Sequence, residues 1–224
     1  MQEHNSLPLS DFIEYSPAEM LARSEQFFVD IKRRHSIRQF SDKPVAQEII
    51  ENCIKAAGTA PNGANHQPWH FCVIHSADIK AQVRQQAEAH EQGFYQGRAG
   101  DEWLGALKPL GTDANKPYLE HAPWLIAIFS QKNKELEDGH KQNNYYVHES
   151  VGIATGFLIN ALHNCGLVTL THTPKPMRFL SKICNRPDNE RPYMLLVVGY
   201  PASDATVPEH AIKKKSLVEI ASFL

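Results

Sequence analysis

Cysteine is sparse in this chain of 224 residues. Cys53, Cys72, Cys165 and Cys184 are scattered, and no two of them form a C-x-x-C pair. That spacing supports neither a zinc site nor a disulfide framework, and reduced, buried thiols of a cytosolic protein are the plain reading. An excess of one charge is also lacking. A formal net charge of −2 excludes the broadly basic surface that displaces counterions from nucleic acid. No apolar run approaches the roughly 18 residues that suggest a membrane span. The longest runs, 124–129 and 194–198, have the length of buried strands. Residues 1–9 lack the basic-then-apolar pattern of a signal peptide. A cytoplasmic protein without nucleic-acid or membrane partners is therefore expected.

Two phosphate-binding fingerprints are missing as well. No G-x-G-x-x-G follows a strand and no G-x-x-x-x-G-K-[ST] occurs, so any bound phosphate must be held by side chains. Twelve histidines are many, yet there is no H-E-x-x-H and no His/Cys cluster at ligand spacing. No metal is expected.

What remains is an alternation of helices and strands, an α+β pattern without repeats. Met20, Leu21, Phe27, Phe28 and Ile31 form a helical stripe over 17–33, and residues 1–16 precede it as an extension. A second helix follows Pro44, with Val45, Ile49, Ile50, Cys53, Ile54 and Ala57 on one face. A strand is expected at 69–74 and a polar helix over 79–91. Residues 92–117 then lose periodicity among five glycines and two prolines, as a functional lid often does. A strand at 124–130 and a helix over about 144–165 come next. That helix buries Val147, Val151, Ala154, Leu158, Ala161, Leu162 and Cys165, and Gly166 stops it. Strands at 167–171 and 193–200 flank a short helix at 178–184. The tail, 201–224, has too few apolar residues to stand alone and must pack on something, such as another subunit.

Two segments carry chemistry. Arg33, Arg34, His35, Ser36, Ile37 and Arg38 end the first helix. Guanidinium forks suit a phosphate, although a solvated basic helix end has the same composition. Residues 59–69, Thr-Ala-Pro-Asn-Gly-Ala-Asn-His-Gln-Pro-Trp, follow an irregular path whose small side chains let the backbone approach a flat ligand. An ordinary helix-to-strand loop would also fit.

Taken together, R-x-S-x-R-x-F followed by A-P-[NS]-G-A…P-W resembles the nitroreductase superfamily. Gly166 to Pro174, read as G-L-V-T-L-T-H-T-P, and then Val198-Gly199-Tyr200-Pro201 are similar to the iodotyrosine deiodinase branch. The similarity covers roughly residues 17–220 and lacks the N-terminal membrane anchor of the animal enzymes. It implies an FMN-binding α–β sandwich over 17–224, with a central mixed sheet flanked by helices, assembled as a domain-swapped homodimer whose tail packs on the partner.

The resemblance also assigns roles. Arg34, His35, Ser36 and Arg38, with Lys214, would hold the FMN phosphate and ribityl chain. Pro61, Asn62 and Gly63 would line the flavin, as would Thr171, His172 and Thr173. The Thr173 hydroxyl would donate to flavin N5 and favour stepwise one-electron transfer, which makes it the catalytic candidate. Glu91, Tyr95 and Lys116 would grip the substrate, because a free amino acid is a zwitterion that wants a carboxylate and an ammonium. The backbone N–H of Ala64 would donate to the substrate phenolate. Trp103 would cover the site or simply fill an apolar contact in the lid.

Three positions preserve donors but depart from the pattern: His35 and Lys214 stand for arginine, and Asn62 for serine. His172 stands where threonine is usual, and the sequence offers no reason for it. The implied activity is reductive removal of halogen from iodotyrosines, and by extension bromo- and chlorotyrosine. The electron donor would be an NAD(P)H-linked reductase or another source of reduced flavin. A general NAD(P)H-dependent nitroreductase or quinone reductase, and a noncatalytic flavin- or halotyrosine-binding protein, are the alternatives.

Overall fold

The computed structural model describes residues 5–137 and 139–224. Two compact units are distinguished, residues 1–34 and 35–224.

The described part of the first unit is dominated by helix α1, Pro17–Lys32. Ser16 caps it through a reciprocal capping box with Glu19, and Pro17 occupies the first turn, where a missing N–H costs nothing. The anticipated stripe exists but is uncovered. Met20, Leu21, Phe27 and Phe28 are all exposed, and the helix contains no buried residue.

The second unit is built on a four-stranded sheet. Its strands are β1 (Trp69–Ile74), β2 (Trp124–Gln131), β5 (Val168–His172) and β6 (Glu190–Gly199), in the order β1-β2-β6-β5. All three pairings are antiparallel. The mixed character expected of the sheet is confined to a parallel bridge between Ser36 and Thr169. A small hairpin, β3 (Asn133–Glu135) with β4 (Lys141–Asn143), stands apart from the sheet. Its six residues are polar, so hydrophobic periodicity carried no sign of it.

The central strands β2 and β6 are buried on both faces, which is why they read as unbroken apolar runs. Alternate residues serve two cores. Leu125, Ala127 and Phe129 pack with Val83 and Ala87 of α3 (Ala77–Gly93), Leu119 of α5 (Tyr118–His121) and Leu180 of α7 (Arg178–Ile183). Trp124, Ile126 and Ile128 face the other way. They meet Ile50, Cys53 and Ala57 of α2 (Gln47–Gly58) and Val151, Leu158 and Leu162 of α6 (Val147–Asn164). The Trp124 indole N–H donates to the Val45 carbonyl at 2.9 Å, satisfying the one polar atom it takes into this layer.

Gly166 ends α6 with a left-handed φ of 81°, as expected. One expectation fails here. Cys165 is not on the buried side of α6 but caps its end, exposed, with its sulfur 3.8 Å from that of buried Cys53.

The stretch over 92–117 is less irregular than its composition suggests. A π-helical turn (Phe94–Arg98), helix α4 (Asp101–Leu107) and a 3₁₀ turn (Lys108–Leu110) follow one another. Each is too short for periodicity to register. The tail holds two four-residue helices, α8 (Glu209–Ile212) and α9 (Leu217–Ile220).

Close packing at the end of β6 gives a direct test of the frame. An ideal Cβ on Gly199 would stand 2.5 Å from Pro123 Cδ and 3.0 Å from Pro123 Cγ, both atoms of a stiff ring. Gly199→Ala is expected to destabilise the fold by about 1–3 kcal/mol through overpacking. A urea-unfolding midpoint unchanged from wild type would contradict this.

Candidate functional site

Backbone pairing sets the first half of the site. The Ile37 N–H donates to the Thr169 carbonyl at 3.1 Å, which lays residues 36–38 along the edge of β5. Arg38 thereby comes beside the end of β5. There the pleat alternates, with Thr171 and Thr173 exposed and His172 between them buried. The second half comes from the end of α3 and the turns after it. Glu91 lies on the last turn of α3, Tyr95 in the π-helical turn, and Lys116 just before α5.

A cavity of about 260 Å³ joins the two halves. Arg38, Glu91, Tyr95, Lys116, Thr171, His172 and Thr173 all line it, with Phe94, Trp103 and Tyr118 among its walls. Phe94 stacks edge-on against Trp103 with ring centres 5.0 Å apart, so the lid's own aromatic contact holds that wall.

Two of the charges that line the cavity, Lys116 and Glu91, are paired with each other. Lys116 Nζ is 3.5 Å from Glu91 Oε2, with side-chain exposures of 4% and 14%. The same ammonium donates to Thr112 Oγ1 at 3.1 Å and to the Asp113 carbonyl. The Tyr95 hydroxyl donates to the Thr112 carbonyl at 3.1 Å. Burial pushes the Lys116 amine below the ordinary lysine range, and the Glu91 carboxylate works against that shift. Burial likewise raises the Tyr95 phenol. Thr112 was not anticipated. It acts partly through its backbone carbonyl, which no side-chain pattern announces.

His172 gains neighbours here. Its ring lies edge-on to Tyr118, and its Nδ1 is 3.5 Å from the Tyr118 hydroxyl. Its Nε2 is buried and, among the described residues, has no hydrogen-bond partner. Burial, with the nearby charges of Lys116 and Arg38, holds the imidazole neutral by lowering its pKa to about 3.

The remaining candidates lie elsewhere. Pro61, Asn62, Gly63 and Ala64 do not line the cavity. Their loop is fixed from within, by the Gln67 N–H donating to Asn62 Oδ1 at 2.7 Å and the Gly63 N–H donating to Ser150 Oγ at 3.3 Å. Gly63 has no room for a Cβ against the Tyr145 carbonyl. Ala64 is held at a left-handed φ of 50°, an uncommon conformation for a residue with a side chain. His35 and Ser36 are half-buried beside β5 and do not line the cavity. Arg34 belongs to the first unit, following α1. Lys214 is exposed in the tail, its ammonium donating to the Ala211 carbonyl at 2.7 Å.

The neutral state of His172 has a pH consequence. Its folded pKa lies below the unfolded value of about 6.5, so the unfolded chain binds the extra proton first. Stability from this group is complete above about pH 6.5 and is lost as pH falls towards 3. Between pH 7 and 5, His172→Thr should lose about 2 kcal/mol less stability than wild type. Parallel urea-unfolding curves for the two proteins at both pH values would contradict this.

Comparison with known proteins agrees with the geometry. A profile of the Nitroreductase family matches residues 31–200. The iodotyrosine deiodinase of Haliscomenobacter hydrossis is 49% identical over 207 residues, spanning 92% of this chain and 93% of its own. Iodotyrosine deiodinase 1 of Homo sapiens is 42% identical across 92% of this chain and 71% of its own. A crystal structure of oxidized iodotyrosine deiodinase bound to FMN and 3-iodo-L-tyrosine aligns over 88% of this chain and 100% of that one, with a TM-score of 0.73 and 30% identity. A BluB-like flavoprotein from Clostridium difficile aligns with a TM-score of 0.65 at 21% identity over 88% of this chain and 97% of its own, a likeness of fold alone. By the family profile and the extent of these identities, the chain belongs to the nitroreductase family, in its iodotyrosine deiodinase branch.

Proposed function

We propose that this protein is an FMN-dependent reductive dehalogenase acting on halogenated tyrosines. The observation that carries the proposal is the buried Glu91–Lys116 pair, set in the same cavity as Arg38 and Thr173. A free amino acid presents one ammonium and one carboxylate. Inserted between the pair, it gives Glu91 its ammonium and Lys116 its carboxylate, so neither buried charge is stranded. A relative of 30% identity has been solved with FMN and 3-iodo-L-tyrosine, which is the ligand chemistry this cavity suits.

The donor set fits FMN. Arg38 and the outward hydroxyls of Thr171 and Thr173 share one wall, offering a guanidinium for phosphate and neutral donors for a flavin edge. His35, Ser36 and Lys214 would complete the phosphate grip, and Thr173 would donate to the flavin. When bound, FMN supplies two electrons. The overall change is halotyrosine plus two electrons and a proton giving tyrosine and halide. The aryl carbon–halogen bond breaks, the halogen leaves with the bonding pair, and a carbon–hydrogen bond forms. The protein's part is orientation and exclusion of water. Glu91 and Lys116 anchor the amino-acid end, Tyr95 closes over it, and the Ala64 N–H would receive the phenolate.

The 61–64 loop and the cavity are separate in one chain, and a homodimer would unite them. Ile153 and Phe157 of α6 are exposed, as are Ile212, Leu217, Val218, Ile220 and Phe223 of the tail, an apolar surface suited to a second copy. The electron donor would be an NAD(P)H-linked reductase or reduced flavin. The four free thiols suit a reducing cytoplasm.

The self-paired clamp makes a graded prediction for the FMN-loaded enzyme, read by flavin fluorescence quenching. 3-Iodotyrosine should bind on the order of 100-fold more tightly than 2-iodophenol, from two charge-assisted contacts. 3-Iodotyramine, with only the ammonium, should bind no better than the phenol, because opening the pair for one charge leaves Lys116 buried and alone. Equal affinity for all three would point to a reductase without a zwitterion clamp.

A further inference from the structure

Helix α3 touches Lys116 twice. Near its end Glu91 faces the ammonium at 3.5 Å, and one turn earlier Glu88 Oε1 accepts the Lys116 backbone N–H at 2.7 Å. The two carboxylates are three residues apart and so share a face of the helix. Glu88 does not line the cavity. Its other partner is Arg84, whose Nε donates to the same Oε1 at 2.7 Å.

Arg84 extends the grip. Its Nη1 reaches Glu120 Oε2 at 3.0 Å, and its Nη2 donates to Asn115 Oδ1 at 3.0 Å. Asn115 and Lys116 are consecutive, at the junction between the lid and α5. A turn further back, Lys80 Nζ donates to the carbonyls of Glu120 at 2.9 Å and Ala122 at 2.8 Å. Lys80, Arg84, Glu88 and Glu91 therefore run down one side of α3 and hold the junction residue by residue. Arg84 and Glu88 are each about a quarter exposed, so their pairing is only partly screened by water.

Resting on the clamp reading of Glu91 and Lys116, we propose that Glu88, steadied by Arg84, is a positioning residue that sets the distance across the zwitterion clamp. Substrate entry requires the Lys116 ammonium to leave Glu91 for the incoming carboxylate. With its backbone N–H tied to Glu88, that exchange is confined to the lysine side chain, and the anchor point stays in register with Glu91. Without the tie, the junction must be ordered at the moment of binding, and that cost falls on affinity for ligands that use both charges. Ligands that bind through the ring alone do not feel it.

The test uses the FMN-loaded enzyme and compares wild type, Glu88→Ala, Glu88→Gln and Lys116→Met. Glu88→Ala should raise the Kd of 3-iodotyrosine by roughly 10-fold, the value of one charge-assisted hydrogen bond, while the Kd values of 2-iodophenol and FMN stay within about twofold. Glu88→Gln retains the acceptor oxygen and should recover most of the affinity. Lys116→Met should abolish the preference for iodotyrosine over iodophenol. Loss of both ligands and FMN alike in Glu88→Ala would show a general structural role and overturn the proposal. So would no loss at all in Glu88→Ala while Lys116→Met loses its preference. If Lys116→Met keeps that preference, the clamp reading itself fails and the proposal falls with it.

Discussion

A lysine ammonium with 4% of its side chain exposed cannot stay charged in a protein interior without a partner, and here the partner is Glu91. Most of the site's geometry follows from accommodating that pair. Thr112 and the Asp113 carbonyl take up the remaining protons of the ammonium, and Tyr95 reaches the same turn. The lid is thereby tied to the end of α3, with the charges of Lys116 and Glu91 cancelling one another. In the proposed clamp, a site arranged this way would reject ions that carry one charge and accept a zwitterion, because only the zwitterion replaces one buried pair by two. Selectivity then comes from what would be left unpaired.

The frame behind the pair is stiff where it must be. β2 and β6 are packed on both faces and paired on both edges, so β5, which borders β6, has a fixed position. The strand-edge segment at 36–38 inherits that position through the Ile37–Thr169 hydrogen bond. Arg38, Thr171 and Thr173 are therefore placed by backbone pairing. Glu91, Tyr95 and Lys116 are placed by α3 and the turns beside it. The cavity lies between a rigid wall and one built from short, polar-tied segments.

Much of this frame was legible in the residues. The strand at 69–74, the two apolar runs at 124–129 and 194–198, and the stop at Gly166 follow from pattern and glycine chemistry, and all stand where expected. The polar β3–β4 hairpin was not legible, nor were the lid's short helices, because period has nothing to act on there. Cys165 was misread as buried because a helical stripe does not say where the helix ends. In the site, the Glu91, Tyr95 and Lys116 trio was visible only through likeness to a family, since each residue alone is an ordinary surface side chain. The Glu88 contact could not be read at all, because it joins a side chain to a backbone N–H across 28 positions. His172 had no account in the sequence. Burial, with the charges of Lys116 and Arg38 nearby, explains why it is neutral, and nothing in the structure explains why histidine stands there.

The central claim is that two electrons held on FMN reduce a bound halotyrosine to tyrosine and halide. Anaerobic mixing of the stoichiometrically reduced, FMN-loaded protein with 3-iodotyrosine tests it in a single turnover. The account predicts that the flavin is reoxidised while one tyrosine and one iodide appear per flavin. Flavin that stays reduced with no iodide released would contradict it.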